Sequence, residues 1–100
     1  MIKTGTRLQS QACETQVIVV KTADSLDNLC AGGVPMVPLG TPAEGTHRLN
    51  PALSAGAVMG KRYVDEAGAE VLVTRPGVGT LSIGAVPLQL KQAAPLPASD

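Results

Sequence analysis

Two short apolar runs set the pattern of this chain: TQVIVVK at residues 15–21 and EVLVTR at residues 70–75. Both are β-branched over most of their length, bounded by polar residues and too short for an ordinary helix, so each predicts a buried strand. Weaker alternation predicts short strands at residues 4–8 and 62–64. The polar stretch Thr22, Asp24, Ser25, Asp27, Asn28 and the run Pro76, Gly77, Val78, Gly79 then read as hairpin turns returning the chain into Leu29 and Cys30 and into residues 80–83. Extended segments at residues 34–37 and 86–90 follow, introduced by Gly32 and Gly33 in one case and by Gly84 in the other. Pro35 implies an edge or a bend. No segment predicts an α-helix.

The two halves of this pattern match each other. Gly5 and Arg7 answer to Gly60 and Arg62, residues 16–19 to residues 70–73, and Leu29 to Leu81; Gly32, Val34, Pro35 and Met36 answer to Gly84, Val86, Pro87 and Leu88. The expected architecture is all-β: two related β-ribbon repeats, residues 1–37 and 60–90, packed as a small sandwich or partly open barrel. Between them, residues 38–59 carry Pro38, Gly40, Pro42, Gly45, Pro51 and Gly56, which interrupt every periodic segment. One helical turn is expected at residues 50–53, with Asn50 as cap and Pro51 at the first helical position. Residues 91–100 are rich in Ala and Pro and read as an extended arm.

Composition narrows the picture. The chain has 100 residues, and one repeat of about thirty falls below the size at which an isolated chain ordinarily folds, so the two must share a core. With 44% apolar residues but one Tyr and no Phe or Trp, that core is aliphatic. Eight basic and eight acidic residues cancel, which removes the electrostatic footprint of a nucleic-acid or anionic-membrane binder. No run approaches the roughly 20 apolar residues of a bilayer span, and the N-terminal residues lack the apolar region of a secretory signal, so a cytoplasmic location is expected. Two cysteines in such a compartment read as thiols rather than a bridge.

The second half, with Tyr63, the strand at residues 70–73, the GVGTL turn at residues 77–81 and Leu88, resembles desulforedoxin and the related rubredoxin-type zinc ribbons. That family places a CxxC knuckle after the leading aromatic and a second, adjacent Cys pair after the Thr-Leu. The four metal positions fall here on Asp65, Gly68, Ile83 and Gly84, and in the first half on Ser10, Cys13, Ala31 and Gly32, with Cys30 one place out of register. The resemblance therefore implies a fold, and a tandem analogue of that family's homodimer, rather than an iron or zinc function, since a structural zinc site needs four ligands.

Cys13 and Cys30 are the candidate metal or thiol residues. Their knuckle loops are expected to lie close together, where two thiols bind a soft metal, zinc or iron, with His47 as a third ligand, or cycle as a redox pair. The alternative is that both pack as small hydrophobes. His47, with Glu44 nearby, lacks the nucleophile and orienting acid of a catalytic base. Arg62 and Tyr63, amid Lys61, Asp65 and Glu66, are either a binding patch or a solvated turn whose Tyr closes the core. The expected role is a small non-catalytic accessory or protein-interaction protein, such as a subunit of a larger enzyme assembly, that binds another protein or itself through strand edges or Pro-rich segments and needs no cofactor. The alternative is a thiol- or metal-binding protein using Cys13 and Cys30.

Overall fold

The computed structural model describes residues 2–42 and 47–91. The expected arm beyond Lys91, and Glu44 beside His47, lie outside them.

Alternation builds the centre. In β2 (Gln16–Lys21), Val17 and Val19 are buried while Gln16, Ile18 and Val20 are half-buried; in β7 (Glu70–Arg75), Val71 and Val73 are buried. The two strands pair antiparallel with Val17 opposite Val73, Ile18 opposite Leu72 and Val19 opposite Val71, so one face is a continuous valine surface. On either side stand β1 (Arg7–Gln9) and β6 (Arg62–Val64), and beyond these β5 (Val37–Pro38) and β10 (Gln89–Leu90). The order of this six-stranded sheet is β10-β6-β7-β2-β1-β5. A four-stranded sheet is formed from β3 (Leu29–Ala31), β4 (Val34–Pro35), β8 (Leu81–Ile83) and β9 (Val86–Pro87), in the order β4-β3-β8-β9.

Both orders read the same from either end when each of the first five strands is exchanged for the strand five later. At the centre of each sheet a residue faces its own sequence counterpart: Ile18 faces Leu72, and Cys30 faces Ser82.

The fold is all-β, two open antiparallel sheets with an aliphatic core between them. Leu8, Val17, Val19, Val71 and Val73 from the larger sheet meet Leu29, Ala31 and Leu81 from the smaller, and Leu26, Ala57 and Ala69 complete the cluster. Among the described residues there is no α-helix, and no helix long and apolar enough to cross a membrane.

The two turns expected to close hairpins do something else. Residues Asp24–Asn28 form a 3-10 helix whose Leu26 is buried, and the chain passes there from the six-stranded sheet to the four-stranded one; β2 and β3 do not pair. Residues 76–80 make the same passage between β7 and β8. Gly77 lies so close to Thr15 that a Cβ would stand 2.6 Å from its backbone nitrogen. The true hairpins are β1–β2, β3–β4, β6–β7 and β8–β9.

The turn at Pro51–Leu53 forms as expected, with the Asn50 side chain accepting from the Ala52 N–H at 2.9 Å. It anchors the linker on both halves, since the Asn50 N–H donates to the Gly32 carbonyl and the Thr80 N–H donates to the Leu53 carbonyl, each at 2.8 Å.

Candidate functional site

The first-half knuckle is organised by a hydroxyl. Ser10 Oγ accepts from the backbone N–H groups of Ala12 and Cys13, both at 3.0 Å, and the Ser10 N–H closes the loop on the Thr15 carbonyl at 2.9 Å. This local bonding holds Cys13 so that its Sγ meets Ser10 Oγ at 3.3 Å and Thr15 Oγ1 at 3.2 Å. Burial pushes the Cys13 thiol up. Hydrogen bonds from the Ser10 and Thr15 side chains and the Thr15 and Gly79 backbone outweigh that and hold it below the ordinary thiol range.

Cys30 has the opposite environment. It sits in the middle of β3, its Sγ directed to the Asn28 carbonyl at 3.5 Å, and burial pushes its thiol up against a smaller opposing effect from the Gly84 backbone. Both thiols are free, and their surroundings differ: Cys13 lies against Gly79 near the Ala31–Gly32 end of β3, and Cys30 turns toward the Asn28 carbonyl. His47 lies on exposed chain in the linker. No three His, Cys, Asp or Glu side chains gather among the described residues. A four-ligand zinc or iron centre does not fit the residues present, because the positions matched to ligands in the first half supply one thiol and one hydroxyl and those in the second half one carboxylate, Asp65, already bonded to the Ala69 N–H at 2.8 Å.

Arg62 and Tyr63, adjacent on β6, diverge. Tyr63 packs against the core, and its hydroxyl accepts from the Val58 N–H at 3.0 Å. Arg62, half-exposed, reaches Glu70 Oε2 at 3.2 Å, while Lys91 Nζ reaches Glu70 Oε1 at 2.9 Å. Glu70 itself is only 2% exposed, and the bond from Lys91, opposed by burial and assisted by Arg62, holds its carboxyl below the usual range. A Glu opening a valine-rich strand was the sequence signal for this clamp.

The edge strands show a further pattern. In β4, β5 and β9, Pro35, Pro38 and Pro87 stand opposite Cys30, Leu8 and Ser82. The residue after each proline donates inward, Met36 to Leu29, Leu39 to Arg7 and Leu88 to Leu81, all at 2.9 Å. Antiparallel alternation then turns each proline's nitrogen away from the sheet, where an ordinary residue would present a free N–H. β10 has the same geometry, since Lys91 donates to Arg62 at 2.8 Å and Leu90 pairs with Tyr63, but Leu90 keeps its outward N–H.

The outward carbonyls differ between the halves as well. Gln11 Nε2 donates to the Pro35 carbonyl at 2.7 Å, and the Thr41 N–H donates to the Pro38 carbonyl at 3.1 Å. In the second half the position answering to Gln11 is Glu66, which has no amide to donate. Beside it a cleft of about 360 Å³ opens between the 65–67 turn and β9. Accordingly Val34 is 8% exposed and its counterpart Val86 is 65% exposed.

Compared with protein-family models, curated proteins and solved structures, the chain matches none.

Proposed function

We propose that this chain is a small non-catalytic accessory protein, two β-ribbon halves fused in tandem, that binds another protein or a second copy of itself along its second half. The observation that carries this reading is the edge of β10. Among the described residues, three of the four sheet edges place a proline where an N–H would project, and the fourth keeps the donor on Leu90, a residue 45% exposed. An extended segment can add to a sheet through such an edge, and Pro is the residue that blocks it. The strand orders that read alike from both ends support the fused-pair reading.

The test is Leu90→Pro, which gives the last edge the feature of the other three without touching the core. We expect a partner captured from cell extract by the native chain, or self-association seen by analytical ultracentrifugation, to be lost in the variant with its circular dichroism unchanged. Equal binding by native chain and variant would overturn the edge reading.

A thiol-based role is the second reading. It rests on Cys13, partly exposed and held toward its thiolate form, with Cys30 the other free thiol.

A further inference from the structure

We propose that the second-half cleft receives a cationic side chain, arginine or lysine, carried by an extended segment of a partner protein. This goes beyond the interaction reading and concerns the cleft between the 65–67 turn and β9, beside β10, whose Gln89 also lines it.

The cleft lining is mostly apolar, with Val64, Ala67, Ile83, Val86 and Pro87, and its polar members are Asp65, Glu66 and Gln89. Such a surface matches the aliphatic stem of Arg or Lys, which packs along apolar groups while its charged head seeks acceptors. The head would find a carboxylate not already paired with a cation. Glu66 pairs with no cation among the described residues, whereas the chain's other carboxylate pairs, Glu70 with Arg62 and Lys91 and Glu14 with Arg75, are already made.

The first half shows what a closed version looks like. There the Gln11 amide satisfies the Pro35 carbonyl from within the chain and Val34 is buried. In the second half no side chain among the described residues donates to the Pro87 carbonyl, and a carboxylate stands where the amide donor was. Both changes remove a donor and add acceptor capacity, so the missing group is a donor, and the added negative charge selects a cation. The volume, about 360 Å³, is at the small end of ligand sites, enough for one long side chain and its neighbours.

The experiment titrates 15N-labelled full chain with acetyl-Leu-Arg-Leu-amide and, separately, with the same tripeptide carrying citrulline, which keeps the shape and loses the charge. We expect saturable shifts of the Glu66, Ala67 and Val86 amides with the arginine peptide, weakened about tenfold or more with citrulline, the size expected for a charge-assisted hydrogen bond. Glu66→Gln should weaken arginine binding similarly, because its amide can bridge to Pro87 as Gln11 does to Pro35; the site is exposed, so the fold should tolerate the change. No shifts, equal affinity for both peptides, or full binding by Glu66→Gln would overturn the proposal. So would binding that appears only after truncation beyond Lys91, which would make the chain's own 92–100 segment the occupant. Concentration-dependent shifts of the same amides without peptide would overturn it too, making the occupant a second copy. The two failures are told apart on the native chain: partner loss in Leu90→Pro with no arginine binding by the native chain keeps the interaction reading and removes this one.

Discussion

Gly79 is one of two second-half glycines, with Gly77, that stand hard against the first half, and adding one methyl there tests how tightly the halves are docked. In Gly79→Ala the new Cβ would stand 2.7 Å from the Gly32 nitrogen, 3.1 Å from the Ala31 carbonyl carbon and 3.0 Å from Cys13 Sγ. Ordinary contacts of this kind begin near 3.4 Å, so the shortfall at the nitrogen is about 0.7 Å, and it is against backbone just past the end of β3 that no rotamer change can move. Overpacking of this type costs about 1–3 kcal/mol. Gly79 does not adopt positive φ, so no backbone strain adds to that, and the smaller entropy of the unfolded alanine chain returns about 0.4–1 kcal/mol. The net destabilisation of roughly 1–2 kcal/mol corresponds, for a domain of this size, to a melting temperature lower by about 4–16 °C. Thermal unfolding followed by circular dichroism measures it. A Cys13→Ala background should recover only part of the loss, since it relieves the sulfur contact and leaves the two backbone ones. A variant melting within about a degree of the native chain would refute the docking described here.

The remaining expectations concern charge and thiols. Glu70→Gln should destabilise by about 1–2 kcal/mol in urea, a modest figure because both cationic partners are partly exposed. Because the folded Glu70 carboxyl is held below its unfolded value, its contribution is complete above about pH 4.3 and is lost as pH falls from there through the folded value. The native chain should therefore lose stability in that acid window more steeply than the Gln variant, and parallel pH profiles would count against the clamp. Iodoacetamide at neutral pH should label Cys13 well before Cys30, as followed by peptide mass spectrometry, and Thr15→Val should slow Cys13 by removing one bond to its sulfur. Faster labelling of Cys30 would reverse the assignment of the two environments.

The central strands were legible because β2 and β7 are long, β-branched and buried on one face, and the helical turn at Pro51–Leu53 because its cap and proline are local signals. What the pattern misassigned was the route between strands. A strand that returns beside its neighbour and one that crosses to another sheet have the same alternation, and the polar run at 24–28 looks like a hairpin turn in either case. Leu26 was the overlooked clue, a single apolar residue in that run that plugs the core and pulls the chain across. The site was less legible still. The edge pattern depends on ladder phase, which is fixed only once the pairs are known.

Sheets that can accept strands on both flanks can polymerise, each unit offering a new edge for every one it covers. With three flanks sealed by proline, the described residues have no second edge to offer. Ladder pairing that starts at Leu90 would end with the first strand added, so assembly by this route is self-limiting: a two-fold pair or a one-to-one complex, and not a fibre.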